Sequence, residues 1–381
     1  MKKRFLLLVM LLTLGLIVAA CGNNDDNNAA DGNDNGTDTE QNGNDNASGN
    51  DEGEAGGDTD YTVAMVTDVG GVDDKSFNQS AWEGITAWGE EHGLAKGEGF
   101  DYLQSNTDAD YIPNLQQLAR ADFDLIYGIG FKLEKGIADI AKQFPDKHFG
   151  IVDSVVDADN VVSIGFADNE SSFLVGVAAA LKTNTNKIGF IGGMESDIIE
   201  AFEVGFRAGA MSVNPDIDIK VQYAGGFDKA DEGKLIASSM YNEDRDVIFH
   251  AAGGTGNGLF NQAKDLKKND PDREIWAIGV DRDQHEEGKI DDHNITLTSA
   301  VKRVDNAVHE VSNMAMDGNF PGGEILKFDL KSEGVGYTTT NEDAMTQDII
   351  DEVESWKEKI ISGEIEVPSK YDGLEEYEES L

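Results

Sequence analysis

From residue 61 onward, short apolar runs rich in β-branched residues alternate with amphipathic segments of helix length. The predicted strands are Tyr61–Val66, Phe100–Gln104, Phe123–Gly128, His148–Val152, Val161–Phe166, Lys187–Ile191, Ile219–Ala224, Val247–Ala252, Ile275–Val280 and Ile295–Val301. The predicted helices are Gln79–Glu91, Tyr111–Ala121, Ser171–Lys182, Ala201–Val213, Lys229–Tyr241, Leu259–Lys267, Asn306–Met316 and Ala344–Ile361. This alternation predicts an α/β fold in which helices cover both faces of parallel sheets.

The folded part is too long for a single hydrophobic core. About 320 residues follow the first sixty, and chains beyond about 250–300 residues divide into separate cores. We therefore expect two α/β lobes. The acidic tail after the last predicted helix is expected to be frayed.

The N-terminus has the pattern of an export signal. Met1–Arg4 is basic, the apolar run Phe5–Ala20 is short for a membrane span, and Cys21 is the single cysteine of the chain. This pattern resembles a bacterial lipoprotein signal, which implies that residues 1–20 are removed and that Cys21 carries the lipid. Acyl chains on Cys21 would hold the protein on a membrane without spanning it. No thiol then remains for a disulfide, a metal or a nucleophile.

The segment between Cys21 and the first strand predicts a tether. Residues 22–60 are dominated by Gly, Asn, Asp, Thr and Glu and contain no aromatic, branched aliphatic or basic residue. Such a segment cannot bury enough apolar surface to offset its chain entropy, so we expect residues 21–60 to be disordered. Repulsion between its carboxylates would extend it.

Composition and spacing exclude several function classes. The formal net charge of −44 opposes binding to nucleic acid. The six histidines show no metal-ligand spacing, and the paired glycines at Gly192 and Gly253 are not followed by the Lys-Ser/Thr of a phosphate-binding loop. No order typical of a Ser-His-Asp triad is present. The sequence therefore predicts a protein that is not an enzyme, with no catalytic residue, metal or cofactor.

The loop after the first strand carries the residues best suited to a ligand site. Asp68 directly follows the strand, where its carboxylate can accept two N–H donors, and Phe77 offers a flat apolar face. Gly70 and Gly71 permit a sharp turn, and Asp73–Ser76 can cap the following helix. The same residues also fit a plain capped turn with a solvated acidic cluster.

A nucleoside hydrolase is a weaker alternative for this loop. Those enzymes begin with a strand followed by closely spaced aspartates that hold calcium. Here Val66 stands two positions before Asp68, where that class has an aspartate. Calcium needs six to eight oxygen ligands, which this loop does not supply.

Several motifs occur in one order along the chain. They are TDVGGVDDKSFNQSAWEG, FADNESSFLVG, KIGFIGGM, FEVGFRAG, HAAGGTGNG, IGVDRDQ and TSAVKRVDNAV. Together they resemble the basic membrane protein family of substrate-binding lipoproteins, which includes bacterial purine-nucleoside receptors. The resemblance covers about residues 62–337. It implies a type I periplasmic-binding-protein fold, with two Rossmann-like lobes joined by three crossovers.

The resemblance implies roles for individual residues. Asp68 would meet the polar edge of the base, Phe77 would stack on one face, and Phe227 would stack on the other. Gly254 lies where the backbone approaches the ribose. Asn169 lies in a matching motif at a crossover and is expected to contact the base.

Asp281 and Lys302 match the pair that hydrogen-bonds the ribose hydroxyls. Because each lies at or after the end of a predicted strand, we expect them to neutralise each other while holding vicinal hydroxyls. A structural salt bridge between the lobes is the alternative. Arg282 replaces the small residue usual in the family, and it is expected either to point to solvent or to narrow the ligand entrance.

The expected lobes comprise residues 61–166 with 283–320, and 167–282 with 321–381. The predicted ligand is a nucleoside, and the predicted partners are the permease and ATPase of an ABC importer and the membrane reached through the lipid anchor. We expect a monomer on the extracytoplasmic face of the cell membrane. A surface nucleoside-sensing receptor or adhesion lipoprotein, not coupled to transport, is the alternative function.

Overall fold

The computed structural model describes residues 60–381, so the predicted signal peptide, Cys21 and the predicted tether up to residue 59 lie outside the described residues. The strands are β1 Val63–Val66, β2 Phe100–Leu103, β3 Leu125–Ile129, β4 His148–Val152, β5 Val161–Phe166, β6 Lys187–Gly192, β7 Asp218–Tyr223, β8 Val247–Ala251, β9 Trp276–Asp281, β10 Lys289–Ile290, β11 His293–Asn294, β12 Thr296–Lys302, β13 Ile325–Phe328 and β14 Val335–Tyr337. The helices are α1 Phe77–Glu91, α2 Tyr111–Arg120, α3 Glu134–Gln143, α4 Asp168–Lys182, α5 Asp197–Val213, α6 Ala230–Asn242, α7 Asn257–Asn269, α8 Val304–Met316, α9 Gln347–Ile361 and α10 Tyr371–Ser380. Each predicted element is present, β4 and β5 with the predicted ends and the others with shifted ends. Helices α3 and α10 and the short strands β10, β11, β13 and β14 were not predicted.

The first lobe is a parallel sheet between two helical layers. Within residues 60–381 its six strands lie in the order β13-β5-β4-β3-β1-β2. Val63 and Met65 of β1 pack under α1 and α8, while Ala64 and Val66 pack against α2 and α3. Because both faces of β1 are buried, its sequence is a continuous apolar run rather than an alternating one.

The second lobe repeats this arrangement. Its six strands in the described residues lie in the order β14-β12-β9-β8-β6-β7, parallel except for β14, which pairs antiparallel with β12. Helices α4, α5 and α9 cover one face, and α6 and α7 cover the other. Two Rossmann-like lobes with parallel sheets confirm the predicted fold class.

The chain passes between the lobes three times, as predicted. It crosses at Ala167 between β5 and α4, at Arg303 between β12 and α8, and between β13 and β14. The last two crossings lie later in the chain than the predicted boundaries at 283 and 320. The reason is strand pairing: β12 pairs with β9 in the second sheet, and β13 pairs with β5 in the first.

The acidic tail differs from the predicted frayed end. It forms α10, whose Leu374 is only 2% exposed. The Tyr371 hydroxyl donates to the buried carboxylate of Glu203 at 2.7 Å, and the hydroxyls of Tyr377 and Ser212 lie 2.8 Å apart. These partners on α5 offset the low apolar content of the tail and dock it on the second lobe.

Candidate ligand-binding cleft

A cleft of about 560 Å³, including the part open to solvent, lies between the two lobes. The first lobe contributes the loops after β1, β3 and β4, and the second contributes the start of α5 and the ends of β8, β9 and β12. These are carboxyl ends of parallel strands, where α/β sheets bind ligands. Of the predicted site residues, the cleft is lined by Asp68, Phe77, Phe227, Asp281 and Lys302.

Asp68 is held by one of its two carboxylate oxygens. Its Oδ1 accepts hydrogen bonds from the Gly70 backbone N–H at 2.8 Å and from the Asn78 amide at 2.7 Å. Asn78 Oδ1 in turn accepts from the Asp68 backbone N–H at 3.1 Å. Burial raises the pKa of Asp68 to about 6, although the bonds from Asn78 and Gly70 favour the ionised form. Asp68 therefore has a fixed orientation, and Oδ2 is left to accept from a ligand.

Asp74 is the residue of the predicted Asp73–Ser76 group that caps α1. Its carboxylate accepts from the backbone N–H groups of Ser76, Asn78 and Gln79 at 2.9–3.1 Å. Within the helix these N–H donors have no backbone partner, and they favour a negative charge at the helix N-terminus. The side chain of Ser76 is thereby released for another partner.

That partner is Asp281, at the end of β9 in the second lobe. The Ser76 hydroxyl donates to Asp281 Oδ2 across the cleft. Asp281 has a φ of +66° and is the middle residue of a turn closed by the Arg282 N–H and the Val280 carbonyl at 2.8 Å. Such γ-turns are strained for a residue with a side chain. Burial raises the pKa of Asp281 to about 7, although Lys302 and Ser76 favour its ionised form.

Lys302 does not form the predicted ion pair with Asp281. Its Nζ lies 2.6 Å from Asp153 Oδ2 and 3.2 Å from Asp168 Oδ1. Lys302 is 1% exposed, and burial alone would lower its pKa. The carboxylates of Asp153, Asp168 and Asp281 reverse that effect and raise the pKa. The pairing differs because Asp153 and Asp168 follow the adjacent strands β4 and β5, beside the crossovers where Lys302 ends β12.

Aromatic rings surround the same ammonium group. The rings of Phe77, Phe166 and Phe202 have their centres 5.1–5.6 Å from Lys302 Nζ. Rings at this distance attract a cation through their quadrupole. With two of its three N–H donors directed at carboxylates, Lys302 retains one donor for a ligand in the cleft.

The two predicted stacking residues lie on opposite lobes. Phe77 begins α1, and Phe227 follows β7 in the second lobe. Gly193 makes room for the Phe227 ring, because a Cβ at that glycine would lie 2.3 Å from it. Phe131, which the sequence patterns missed, meets Phe227 edge-on at 6.3 Å between ring centres. The cleft therefore has apolar faces on both lobes.

The structure brings Gly254 to the interlobe surface but does not bring Asn169 to the cleft. A Cβ at Gly254 would lie 3.1 Å from the Phe227 carbonyl and 3.8 Å from the Cβ of Asp74. The Asn169 amide instead donates to the carbonyl of Val367 at 2.7 Å. Its neighbour Asp168 is the residue of that motif that faces Lys302, because successive residues at a helix start point in different directions.

Among the buried side chains around the cleft, carboxyl groups outnumber ammonium groups. The ammonium of Lys302 stands against the carboxyl groups of Asp68, Asp74, Asp153, Asp168 and Asp281, each at most 8% exposed. Asp153 Oδ1 is buried without a hydrogen-bond partner in the described residues. An anionic ligand would add to this repulsion, whereas a neutral ligand with N–H and O–H donors would satisfy free acceptors.

Asp153 and Asp168 were missed by the sequence analysis although a signal was present. Each follows a buried strand directly or by one residue, the criterion that identified Asp68. Asn78 and Phe202 carried no such signal, because they lie within helices and look like ordinary helix residues.

Residues 61–371 match the model of a family described as ABC transporter substrate-binding protein, PnrA-like. The chain belongs to this family. A CD4+ T-cell-stimulating antigen of Listeria monocytogenes is 50% identical over 97% of this chain and 100% of its own length. The ABC transporter nucleoside-binding protein BmpA of Lactococcus lactis is 48% identical over 82% of this chain and 90% of its own length.

Membership agrees with the solved structures of similar proteins. An ABC transporter solute-binding protein from Aeropyrum pernix K1 superposes with a TM-score of 0.73 at 26% identity, covering 83% of this chain and 96% of that one. The family thus accounts for the two-lobed fold and for a substrate-binding role with an ABC transporter. Helix α10 lies almost wholly beyond the residues that match the family model.

Proposed function

We propose that this substrate-binding protein captures nucleosides, with a preference for purines, and delivers them to the permease and ATPase of an ABC importer. The observation that carries the proposal is one cleft lined by aromatic rings from opposite lobes and by buried carboxylate acceptors. A nucleoside has two apolar base faces, a hydrogen-bonding edge and ribose hydroxyls, which match these groups. The 48% identity to a relative named as nucleoside-binding supports the same choice.

In the proposed complex, Phe77 and Phe227 stack on the base, and Asp68 Oδ2 accepts an N–H from its edge. Asp281 and the remaining N–H of Lys302 bind the ribose hydroxyls. The absence of a side chain at Gly254 lets the backbone approach the sugar. Asn169 has no role in this complex because its amide is bonded to a backbone carbonyl outside the cleft.

We also propose that a lipid on Cys21 holds the protein at the extracytoplasmic face of the membrane. The support is the short apolar run that ends at the chain's single cysteine. None of the helices between residues 60 and 381 has the length and apolarity needed to cross a bilayer. Mass spectrometry of the membrane fraction would show an acylated Cys21 as the first residue.

Calorimetric titration of the purified protein with a panel of nucleosides, free bases and ribose tests the proposed function. We expect saturable binding of ribonucleosides, tighter for purines, and weaker binding of bases and ribose alone. Because we propose binding without turnover, prolonged incubation should release no free base. Absence of heat with every nucleoside would remove the ligand assignment, and released base would favour the hydrolase.

Asp68 is expected to set the preference among purines. Its ionised Oδ2 accepts from the N–H donors on the edge of guanosine or inosine and repels the N1 acceptor of adenosine. We expect Asp68→Ala to weaken guanosine binding by about 1.5–3 kcal/mol, the scale for a hydrogen bond to a charged group. Asp73→Ala is the control, since it removes an exposed carboxylate from the same loop. Equal guanosine affinity in the two variants would assign Asp68 a purely structural role.

Nucleoside affinity is expected to fall as the pH is lowered. The carboxyls of Asp68 and Asp281, with pKa values near 6 and 7, accept more strongly from the ligand when they are ionised. Affinity should be constant above about pH 7.5 and fall at least about tenfold by pH 5.5, because protonation competes with binding. A protonated Asp68 also becomes a donor, so the guanosine-to-adenosine preference should narrow. Titrations from pH 5.5 to 8 measure both effects, and a flat profile would contradict the assigned roles.

A further inference from the structure

Polar contacts join the lobes at the segment Asp74–Ser76, just before α1. The Asn257 amide donates to the Asp74 carbonyl at 3.2 Å, and the Gln284 amide donates to the Lys75 carbonyl at 2.9 Å. The Ser76 hydroxyl completes the set through Asp281. The second lobe therefore contacts consecutive residues of the first lobe from the start of α7 and from the end of β9.

The Gln284 contact is oriented in advance. Its side-chain oxygen accepts from the Val280 backbone N–H at 2.9 Å and lies 2.9 Å from His250 Nε2. An acceptor position fixed by a backbone N–H leaves the amide nitrogen directed at Lys75. Gln284 and His250 are fully buried, so this donor is held ready within the second lobe.

A charged contact lies beside this segment. Arg282 Nε and Nη2 lie 2.9 Å and 2.8 Å from the two carboxylate oxygens of Glu83, on the second turn of α1. The two side chains are 23% and 46% exposed. They line an open pocket of about 640 Å³, including the part open to solvent, that shares Asp281 with the ligand cleft. Arg282 therefore neither points to solvent nor only narrows an entrance, because it connects the lobes.

The turn at Asp281 links this ion pair to the ligand cleft. Asp281 lines the cleft, and the next residue, Arg282, reaches α1 of the opposite lobe. A ligand enclosed between two lobes leaves when the lobes separate, and separation must break the Arg282–Glu83 contacts. The bidentate geometry makes this pair stronger than a single charged hydrogen bond.

We propose that Arg282 and Glu83 form a latch pair that stabilises the closed form and sets the rate of ligand dissociation. The ligand identity in this inference rests on the proposed function, whereas the closing role does not. The latch acts on the equilibrium between open and closed lobes, and a weaker closed form lowers apparent affinity in proportion to its population. Most of the change appears in dissociation rather than association.

Charge removal and charge reversal test the latch through nucleoside dissociation measured by stopped-flow displacement. We expect Arg282→Ala to raise the dissociation rate about three- to fivefold, the upper range for an exposed ion pair. Arg282→Glu and Glu83→Arg should each raise it about tenfold or more, because like charges then face each other. The double reversal should return the rate to within about twofold of wild type. Unchanged rates in the single variants, or no recovery in the double, would overturn the proposal.

Lys220→Glu is the matched control. Lys220 and Glu243 pair within the second lobe, with side chains 30% and 44% exposed, close to the values of the latch pair. Reversal there should change the dissociation rate less than twofold. High salt should accelerate dissociation from the wild type but not from Arg282→Ala, because it screens the exposed pair. A dissociation rate in Lys220→Glu raised as much as in Arg282→Glu would show a general charge effect and overturn the latch.

A distance measurement without ligand separates this inference from the proposed function. In full-length protein with Cys21→Ser, the substitutions Lys135→Cys and Leu235→Cys place spin labels on exposed sites, one in each lobe. We expect Arg282→Glu to increase the fraction with the open-lobe distance, and the double reversal to restore the wild-type distribution. This outcome would support the latch even if no nucleoside bound. Identical distributions in all three proteins would refute it even if nucleosides bound tightly.

Discussion

Replacing Lys302 with Met is expected to lower the free energy of unfolding by about 3–5 kcal/mol, the cost of removing one partner from a buried ion pair. Asp153 and Asp168 would lose their shared cation while remaining at most 8% exposed. An unpaired buried carboxylate must either be protonated or stay charged at high cost. The variant should also bind nucleosides poorly, since it lacks the proposed ribose donor.

Urea unfolding at pH 8 and pH 5 measures this effect and its origin. Burial already raises the pKa of Asp168. Lowering the pH should therefore protonate the unpaired carboxyls of Lys302→Met and reduce its loss of unfolding free energy. The triple variant Lys302→Met, Asp153→Asn, Asp168→Asn should recover part of the stability, because no orphaned charge remains. A stable Lys302→Met variant that fails only in binding would show that the ammonium serves the ligand and not the fold.

Gly209→Ala is expected to destabilise the protein by about 2–3 kcal/mol, the scale of overpacking a close contact. The residue lies in α5, where a Cβ would stand 2.0 Å from the Phe173 carbonyl oxygen of α4. Gly176 and Gly205 lie in the same crossing, where an added Cβ would stand 2.3 Å and 2.2 Å from opposing backbone oxygens. On an exposed helix, a Gly→Ala change would stabilise the protein by up to about 1 kcal/mol. At Gly209 we expect the opposite effect on stability.

The functional consequence follows from the position of α5. Its first turns carry Ile199 and Phe202 on the cleft wall, and displacement of α5 should also weaken ligand binding. Gly336→Ala is the control, since a Cβ there meets no atom within 4 Å. Chemical unfolding of both variants gives the comparison. Equal stability of Gly209→Ala and wild type would mean that the two helices separate at little cost.

Local hydrophobic patterns in the sequence predicted most of the strands and helices that form the layers of the fold. The runs at β4 and β5 were predicted to the residue because strands buried on both faces are continuous apolar segments. Short elements such as β13 and β14 were missed, since three or four residues at a sheet edge carry too little periodicity. Helix α10 was missed because its docking depends on Glu203, a residue about 170 positions away.

The sequence by itself also determined which strand-following loops could carry the site. Asp68, Phe77 and Asp281 lie in or directly beside such loops and line one cleft, because parallel strands end at a common edge. Only the tertiary structure decided how their charges are paired. Lys302 meets Asp153 and Asp168 instead of Asp281, and Arg282 meets Glu83, because those partners come together through the crossovers and lobe packing. Hydrophobic burial follows a local periodicity that one chain segment displays, whereas an ion pair depends on the approach of atoms that are distant in sequence.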